Sequence, residues 1–230
     1  MESVLITGAN RGIGLELTRC FAGAGWRVHA CCRDPREARD LGKLAEGSKG
    51  AVSLHALEVT DEAAIGKLAS SLRGEPLDIL INNAGIAGRK AATFGATDSK
   101  AWAETFAVNS IAPMHMAEAF LPNLLKGQRK TIATISSRMG SIAENGGGSY
   151  AYRASKAAVN MVMKGLSVEL KSKGFIAVSL HPGWVRTDMG GAGAPIAPAD
   201  SAAKLFEVIT GLKAADSGKF LNYDGSAIPW

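Results

Sequence analysis

Residues 3–20 read SVLITGANRGIGLELTRC, and the fold is decided there. The apolar run at 3–6 is short enough for a buried strand, and residues 12–24 carry apolar positions at helical spacing. Between them stands Thr7-Gly8-Ala9-Asn10-Arg11-Gly12-Ile13-Gly14, a glycine-rich turn that follows a strand and opens a helix. Glycines let the backbone turn tightly and come close to a pyrophosphate, which then rests on the free N–H groups of the helix N-terminus. Gly8, Asn10, Arg11, Gly12, Ile13 and Gly14 are therefore the candidates to hold a dinucleotide.

Outward from this turn the same alternation continues. Strands are expected at 3–6, 27–32, 52–57, 77–81, 131–135, 176–181 and 219–222. Helices are expected at 12–24, 35–45, 62–72, 99–125, 151–171 and 200–209. Short apolar strands alternating with helices build a parallel sheet covered on both faces. The expected fold class is α/β: a doubly wound Rossmann fold, a parallel seven-stranded sheet between two helix layers. The chain shows no linker, repeat or low-complexity tract, so residues 1–230 are expected to form one dinucleotide-binding and catalytic domain. The glycine-rich pieces 146–148 and 190–193 read as loops at the mouth of a site.

Composition narrows the class. Of 230 residues, 47% are hydrophobic and 20% charged, enough apolar material for a large core. Cys20, Cys31 and Cys32 suggest no disulfide framework, and the start MESVLITGAN has no basic leader, so a cytoplasmic location is expected. No stretch approaches the ~18 apolar residues of a membrane span. A net charge of +5, not gathered into a run, gives no reason to expect nucleic acid as a partner. No metal site is expected.

A second signal lies in SYAYRASKAAVNMVMKGLSVELKSK, residues 149–173. Val159, Val162, Met163, Leu166 and Leu170 recur at helical spacing, and near the start stand Tyr152 and Lys156. Positions four apart share one helix face, and a cation near a phenol favours the phenolate. Tyr152 is thus a candidate acid/base residue with Lys156 as its tuner. Tyr150 has no basic residue four positions on. By itself such a pair also occurs on ordinary surface helices.

Taken with four further motifs, the pair is specific. The chain resembles the short-chain dehydrogenase/reductase family, which carries Thr-Gly-x-x-x-Gly-x-Gly at its start and Tyr-x-x-x-Lys in a later helix. It also carries Asn-Asn-Ala-Gly after the fourth strand, a serine after the fifth and Pro-Gly after the sixth. Here these are Asn82-Asn83-Ala84-Gly85, Ser137 and Pro182-Gly183, in the family's order across almost the whole chain. SSRMGSI, YAYRASKAAVNM, HPGWVRTDMGG and the closing DGSAIPW are similar to the branch containing C-factor and the sniffer-type carbonyl reductases.

The resemblance implies roles. Ser137, with Ser136 as its neighbour, would donate a hydrogen bond to a substrate carbonyl. Tyr152 would move the proton, and Lys156 would also hold the nicotinamide ribose. Asn109 would anchor a water: Pro113, four residues on, has no N–H to give its carbonyl, so a kink is expected in the helix. Asn82, Ala84 and Gly85 would line the cofactor, as would Pro182, Gly183, Val185 and Thr187 beside the nicotinamide. Glu58 and Val59 would face the adenine, although the family usually has aspartate where Glu58 stands.

Cofactor choice follows from the end of the second strand. An NAD-binding acid is missing there: Cys32 holds its place and Arg33 follows, with Asp34 read as a cap for the next helix. Arg33, with Arg11, implies the phosphate of NADP(H), with NAD(H) the lesser alternative. His181 reads as structural. Trp184, Met189, Tyr150 and the 146–148 loop are expected to shape the pocket, with 188–198 as a short lid. The function expected is NADP(H)-dependent hydride transfer between nicotinamide and a small carbonyl or alcohol substrate. The alternatives are a nucleotide-binding signalling protein of the C-factor type and an NAD-using alcohol dehydrogenase. A homodimer or homotetramer is expected from the family's habit of pairing long helices.

Overall fold

The computed structural model describes residues 1–88 and 93–230. Its centre is a seven-stranded sheet in the order β3-β2-β1-β4-β5-β6-β7, with every neighbouring pair parallel. The strands are β1 (Ser3–Thr7), β2 (Arg27–Cys32), β3 (Val52–Ala56), β4 (Ile79–Asn82), β5 (Thr131–Ile135), β6 (Ile176–His181) and β7 (Phe220–Asn222). The chain runs outward from β1 to β3, then returns to lay β4 on the other side of β1. That reversal opens a crevice at the carboxyl ends of β1 and β4, where open α/β sheets bind their ligands.

Alternation within the strands divides the core in two. Val4, Ile6, Ile79, Ile81, Val178 and Leu180 pack on one face beside Leu17, Phe21, Leu41, Leu205 and Ile209. These last come from α1 (Gly12–Gly23), α2 (Arg39–Gly47) and α7 (Pro198–Gly211). Leu5, Leu80, Ile132 and Ala177 point the other way, onto Ile65, Leu68, Phe120, Leu124, Met163 and Leu166. Those belong to α3 (Glu62–Ser71), α5 (Ala112–Lys126) and α6 (Tyr150–Glu169). The Rossmann architecture expected from sequence is thus observed, with both faces of the sheet buried. Among the described residues no helix is long and apolar enough to cross a membrane.

Three local departures have physical causes. The helix expected over 99–125 is interrupted: α4 (Ser99–Phe106) passes through a π turn, Ala107–Ile111, before α5 begins. The wider turn stands where Pro113 withholds its N–H, and the ladder shifts register in place of a simple kink. Asp34 does not cap α2. Its Oδ1 accepts the Arg36 N–H at 2.9 Å, closing a turn over the next residues, and α2 starts only at Arg39. The fourth strand starts later than expected, because the Leu77 N–H is given to the carbonyl of Asn123.

Candidate active site

The site is assembled at the carboxyl ends of β1, β4, β5 and β6. The glycine turn forms its first wall. Gly8 and Gly12 hold φ of +66° and +54°, a region that side chains rarely adopt. At Gly14 a Cβ would lie 2.2 Å from the Gly8 carbonyl oxygen and 2.5 Å from Asn83 Nδ2. α1 opens at Gly12 with an extended Arg11 before it and no side-chain cap. The N–H groups of Gly12, Ile13 and Gly14, the first three of the helix, therefore have no intrahelical partner and no cap, as an anion site requires. Asn10 and Arg11 stand exposed on the rim.

Asn83 and Thr7 lock this wall to the next. Asn83 Nδ2 donates to the carbonyls of Thr7 (2.9 Å) and Gly8 (3.1 Å). Thr7 Oγ1 accepts the N–H groups of Asn83 and Ala84 at 3.0 and 3.1 Å. Asn82 behaves differently. It is buried, and its Nδ2 reaches the Pro113 carbonyl and Thr134 Oγ1 at 3.4 and 3.3 Å. Its side chain thus serves the interior, and the clamp on the glycine turn belongs to its neighbour. The reading of this motif as a row of ligands missed Asn83, because spacing does not say which asparagine turns toward the turn.

At the β2 end, the Ala9 N–H bonds to the Cys31 carbonyl at 3.0 Å, which sets the glycine turn beside Cys32 and Arg33. Cys32 is buried and Arg33 is exposed. Next to them Glu58 is half-buried and occupied locally: its Oε1 accepts the N–H (3.2 Å) and hydroxyl (3.1 Å) of Thr60. Val59 is buried.

Opposite stands α6, entered through three residues of positive φ, Gly147, Gly148 and Ser149. Arg153 braces this entry by donating from Nε to the Gly147 carbonyl at 3.0 Å. Tyr152 is half-buried in the first turn of the helix, while Tyr150 is exposed. Lys156 is 4% exposed; its Nζ donates to the Ile135 carbonyl at 2.8 Å and lies 5.8 Å from the Tyr152 ring centroid. Burial brings the Lys156 ammonium down to about 8. Burial also raises the Tyr152 phenol, with the Ser137 hydroxyl pulling weakly the other way. The expectation that Lys156 lowers the phenol is therefore corrected: desolvation outweighs a cation that is aimed at a backbone carbonyl.

Ser137 is 8% exposed at the end of β5. Its Oγ accepts the Met139 N–H at 3.2 Å, and its own hydroxyl proton is the one that acts on the Tyr152 phenol. Ser136 points inward instead, giving its proton to Asn160 Oδ1 at 2.7 Å. Asn109 ties the clusters together. Its Oδ1 accepts the Ile86 N–H (2.9 Å), and its Nδ2 donates to the Ile86 carbonyl (2.8 Å) and to Ser155 Oγ (3.0 Å). Ser155 in turn donates to the Tyr152 carbonyl at 2.8 Å. Ser155 lay inside the Tyr-Lys motif, but nothing in sequence marked it as the bridge.

The loop after β6 supplies the last wall. A Cβ on Gly12 would lie 3.1 Å from Thr187 Cγ2, so the glycine turn and this loop face each other closely. Gly183 has φ of +85°, and Ser201 Oγ holds the Pro182 carbonyl at 2.6 Å. Val185 is buried. The segment after Thr187, expected to be a short lid, folds back on this loop: Trp184 Nε1 donates to the Gly190 carbonyl at 2.9 Å, and the Arg186 N–H donates to the Ile196 carbonyl at 2.9 Å. Trp184 and Met189 remain exposed. His181 is held neutral, with burial taking it down to about 4 and Arg138 acting in the same direction.

These features have counterparts in known proteins. A family model described as short chain dehydrogenase matches residues 2–194. C-signal of Myxococcus xanthus is 46% identical over 156 residues, covering 67% of this chain and 93% of that protein. Among solved structures, the carbonyl reductase Sniffer of D. melanogaster superposes with a TM-score of 0.96 at 36% identity over the full length of both chains. An NADPH-bound carbonyl reductase from chicken fatty liver gives a TM-score of 0.93 at 39% identity, covering 100% of this chain and 99% of that one.

Proposed function

The chain belongs to the short-chain dehydrogenase family, and we propose that it is an NADP(H)-dependent carbonyl reductase using Tyr152 as its general acid. One observation carries this reading. At Gly85, a Cβ would lie 3.2 Å from Asn109 Oδ1 and 3.6 Å from Lys156 Nζ, so the segment clamped to the glycine cradle runs directly into the acid/base cluster. A dinucleotide seated on Gly12–Gly14 would bring its far end to Ser137, Tyr152 and Lys156.

When bound, the nicotinamide supplies the hydride. The chain's own groups do the rest. Ser137 donates its hydroxyl proton in a hydrogen bond to the substrate carbonyl oxygen, stabilising the charge that develops there. Tyr152 transfers its phenolic proton to the same oxygen. The raised phenol remains protonated at neutral pH, which suits reduction; alcohol oxidation needs the phenolate and gains as pH rises. Lys156 would hold the ribose of the nicotinamide half. The Asn109 carbonyl, which Pro113 cannot satisfy, anchors the water that resupplies the proton. Pro182, Gly183, Val185 and Thr187 would hold the nicotinamide. Arg33, beside a Cys32 that offers no carboxylate to a ribose, favours the NADP phosphate over NAD, in keeping with the NADPH-bound neighbour.

A second reading, a nucleotide-binding signalling protein with little turnover, is favoured by the likeness to C-signal. Both are tested by following NADPH oxidation against a panel of aldehydes, ketones and quinones, with nucleotide affinity measured in parallel. The expected result is turnover that Tyr152→Phe lowers by about 10²–10⁴-fold with NADPH affinity unchanged. Binding without turnover on any substrate would support the signalling reading, and near-normal turnover in the Phe variant would remove Tyr152 as the acid.

A further inference from the structure

Arg11 and Asp188 meet across the cleft. Arg11 Nη1 lies 2.7 Å from Asp188 Oδ2, and the two side chains are 69% and 75% exposed. Arg11 sits on the extended residue before α1, and Asp188 follows Thr187 as the first residue of the lid segment. The residues next to the pair, Gly12 and Thr187, also approach closely: a Cβ on Gly12 would lie 3.1 Å from Thr187 Cγ2. The backbone of the same turn runs past the β2 end, because Ala9, two residues before Arg11, is hydrogen-bonded to the Cys31 carbonyl. Arg11 is thus paired with the Asp188 carboxylate from a turn that also borders Cys32 and Arg33, where a ribose phosphate would lie.

We infer that Asp188 is a specificity-determining residue that competes with the cofactor phosphate for Arg11. The inference rests on the proposal that the cleft takes NADP(H). An ion pair this exposed is weak, whereas a dianionic phosphate offers the guanidinium a two-pronged, charge-assisted contact. NADP(H) thus draws Arg11 away from Asp188 and leaves the carboxylate beside the pyrophosphate as an uncompensated like charge. NAD(H), without that phosphate, leaves the pair intact. Asp188 in this way narrows the preference that Arg11 and Arg33 establish.

The experiment is a double-mutant cycle in direct titrations with NADPH and with NADH, without substrate. Asp188→Asn keeps the size of the side chain and removes its charge. It should tighten NADPH by about 1.4- to 5-fold, the worth of an exposed ion pair, and NADH by less. In an Arg11→Gln background the same substitution should no longer change the ratio of the two affinities. The gain should also shrink in high salt. If Asp188→Asn weakens both nucleotides equally, the pair is a clasp over the bound cofactor and the inference is overturned. It is overturned alone if the wild type prefers NADPH and Asp188→Asn leaves the ratio unchanged. A wild type that binds neither nucleotide overturns it together with the cofactor proposal.

Discussion

Replacing Lys156 with methionine should change how stability depends on pH, and the size of the change follows from where the ammonium sits. Lys156 is 4% exposed, and burial takes it from the 10.5 of a solvated lysine to about 8. A lysine with a lower pKa folded than unfolded is protonated at a cost. That cost is full below the folded value and is relieved as pH rises toward the unfolded one. The difference between 10.5 and about 8 amounts to roughly 3 kcal/mol near pH 7. At about pH 9.5 the folded lysine is mostly neutral while the unfolded one still holds its proton, so roughly 1 kcal/mol remains. Methionine has similar length and no charge. It forfeits the 2.8 Å hydrogen bond to the Ile135 carbonyl, a loss of about 1–3 kcal/mol that is independent of pH. Near pH 7 the two effects roughly offset, so the variant should be about as stable as wild type. At about pH 9.5 it should be the weaker by roughly 2 kcal/mol more than at pH 7. Comparing variant with wild type cancels the other titrating groups. Urea unfolding, followed by the fluorescence of the four tryptophans with no nucleotide present, measures the gap at the two pH values. A gap that stays constant would show that Lys156 is not a buried cation, and the account of the site's electrostatics would fail.

Two further outcomes are expected. Arg33→Ala should weaken NADPH by about tenfold, the lower end for a charge-assisted contact that is exposed to solvent. It should leave NADH nearly unchanged, and equal losses in parallel titrations would mean that Arg33 supports the fold instead. Gly14→Ala drives a methyl to 2.2 Å from the Gly8 carbonyl oxygen, so the cradle must shift. A stability loss of about 1–3 kcal/mol is expected, with weaker binding of both nucleotides. A melt and titrations matching wild type would refute the packing argument.

The architecture was legible in the sequence alone, and so were most of the candidate residues that the fold gathers at one crevice. Glycines at 8, 12 and 14 after an apolar strand have few other uses, since a Cβ at Gly14 collides with backbone whatever the ligand. Short strands alternating with amphipathic helices leave one economical arrangement, the doubly wound sheet. The i, i+4 spacing likewise places Tyr152 and Lys156 on one face without further information. What spacing could not contain is direction and distance between remote segments. Asn82 and Asn83 are adjacent letters, yet successive residues leave a strand on opposite sides, and only packing decided which one grips the glycine turn. Pro113 singles out the carbonyl of Asn109 in the sequence, while its side chain is the strut between Ile86 and Ser155. The sign of the phenol's shift was also a tertiary matter. A motif reports that a cation is near, but burial and the Ile135 carbonyl, set by β5 packing on α6, decide how much of its field the phenol feels. The Arg11–Asp188 pair joins residues 177 positions apart, and only the folding of the sheet brought their charges together.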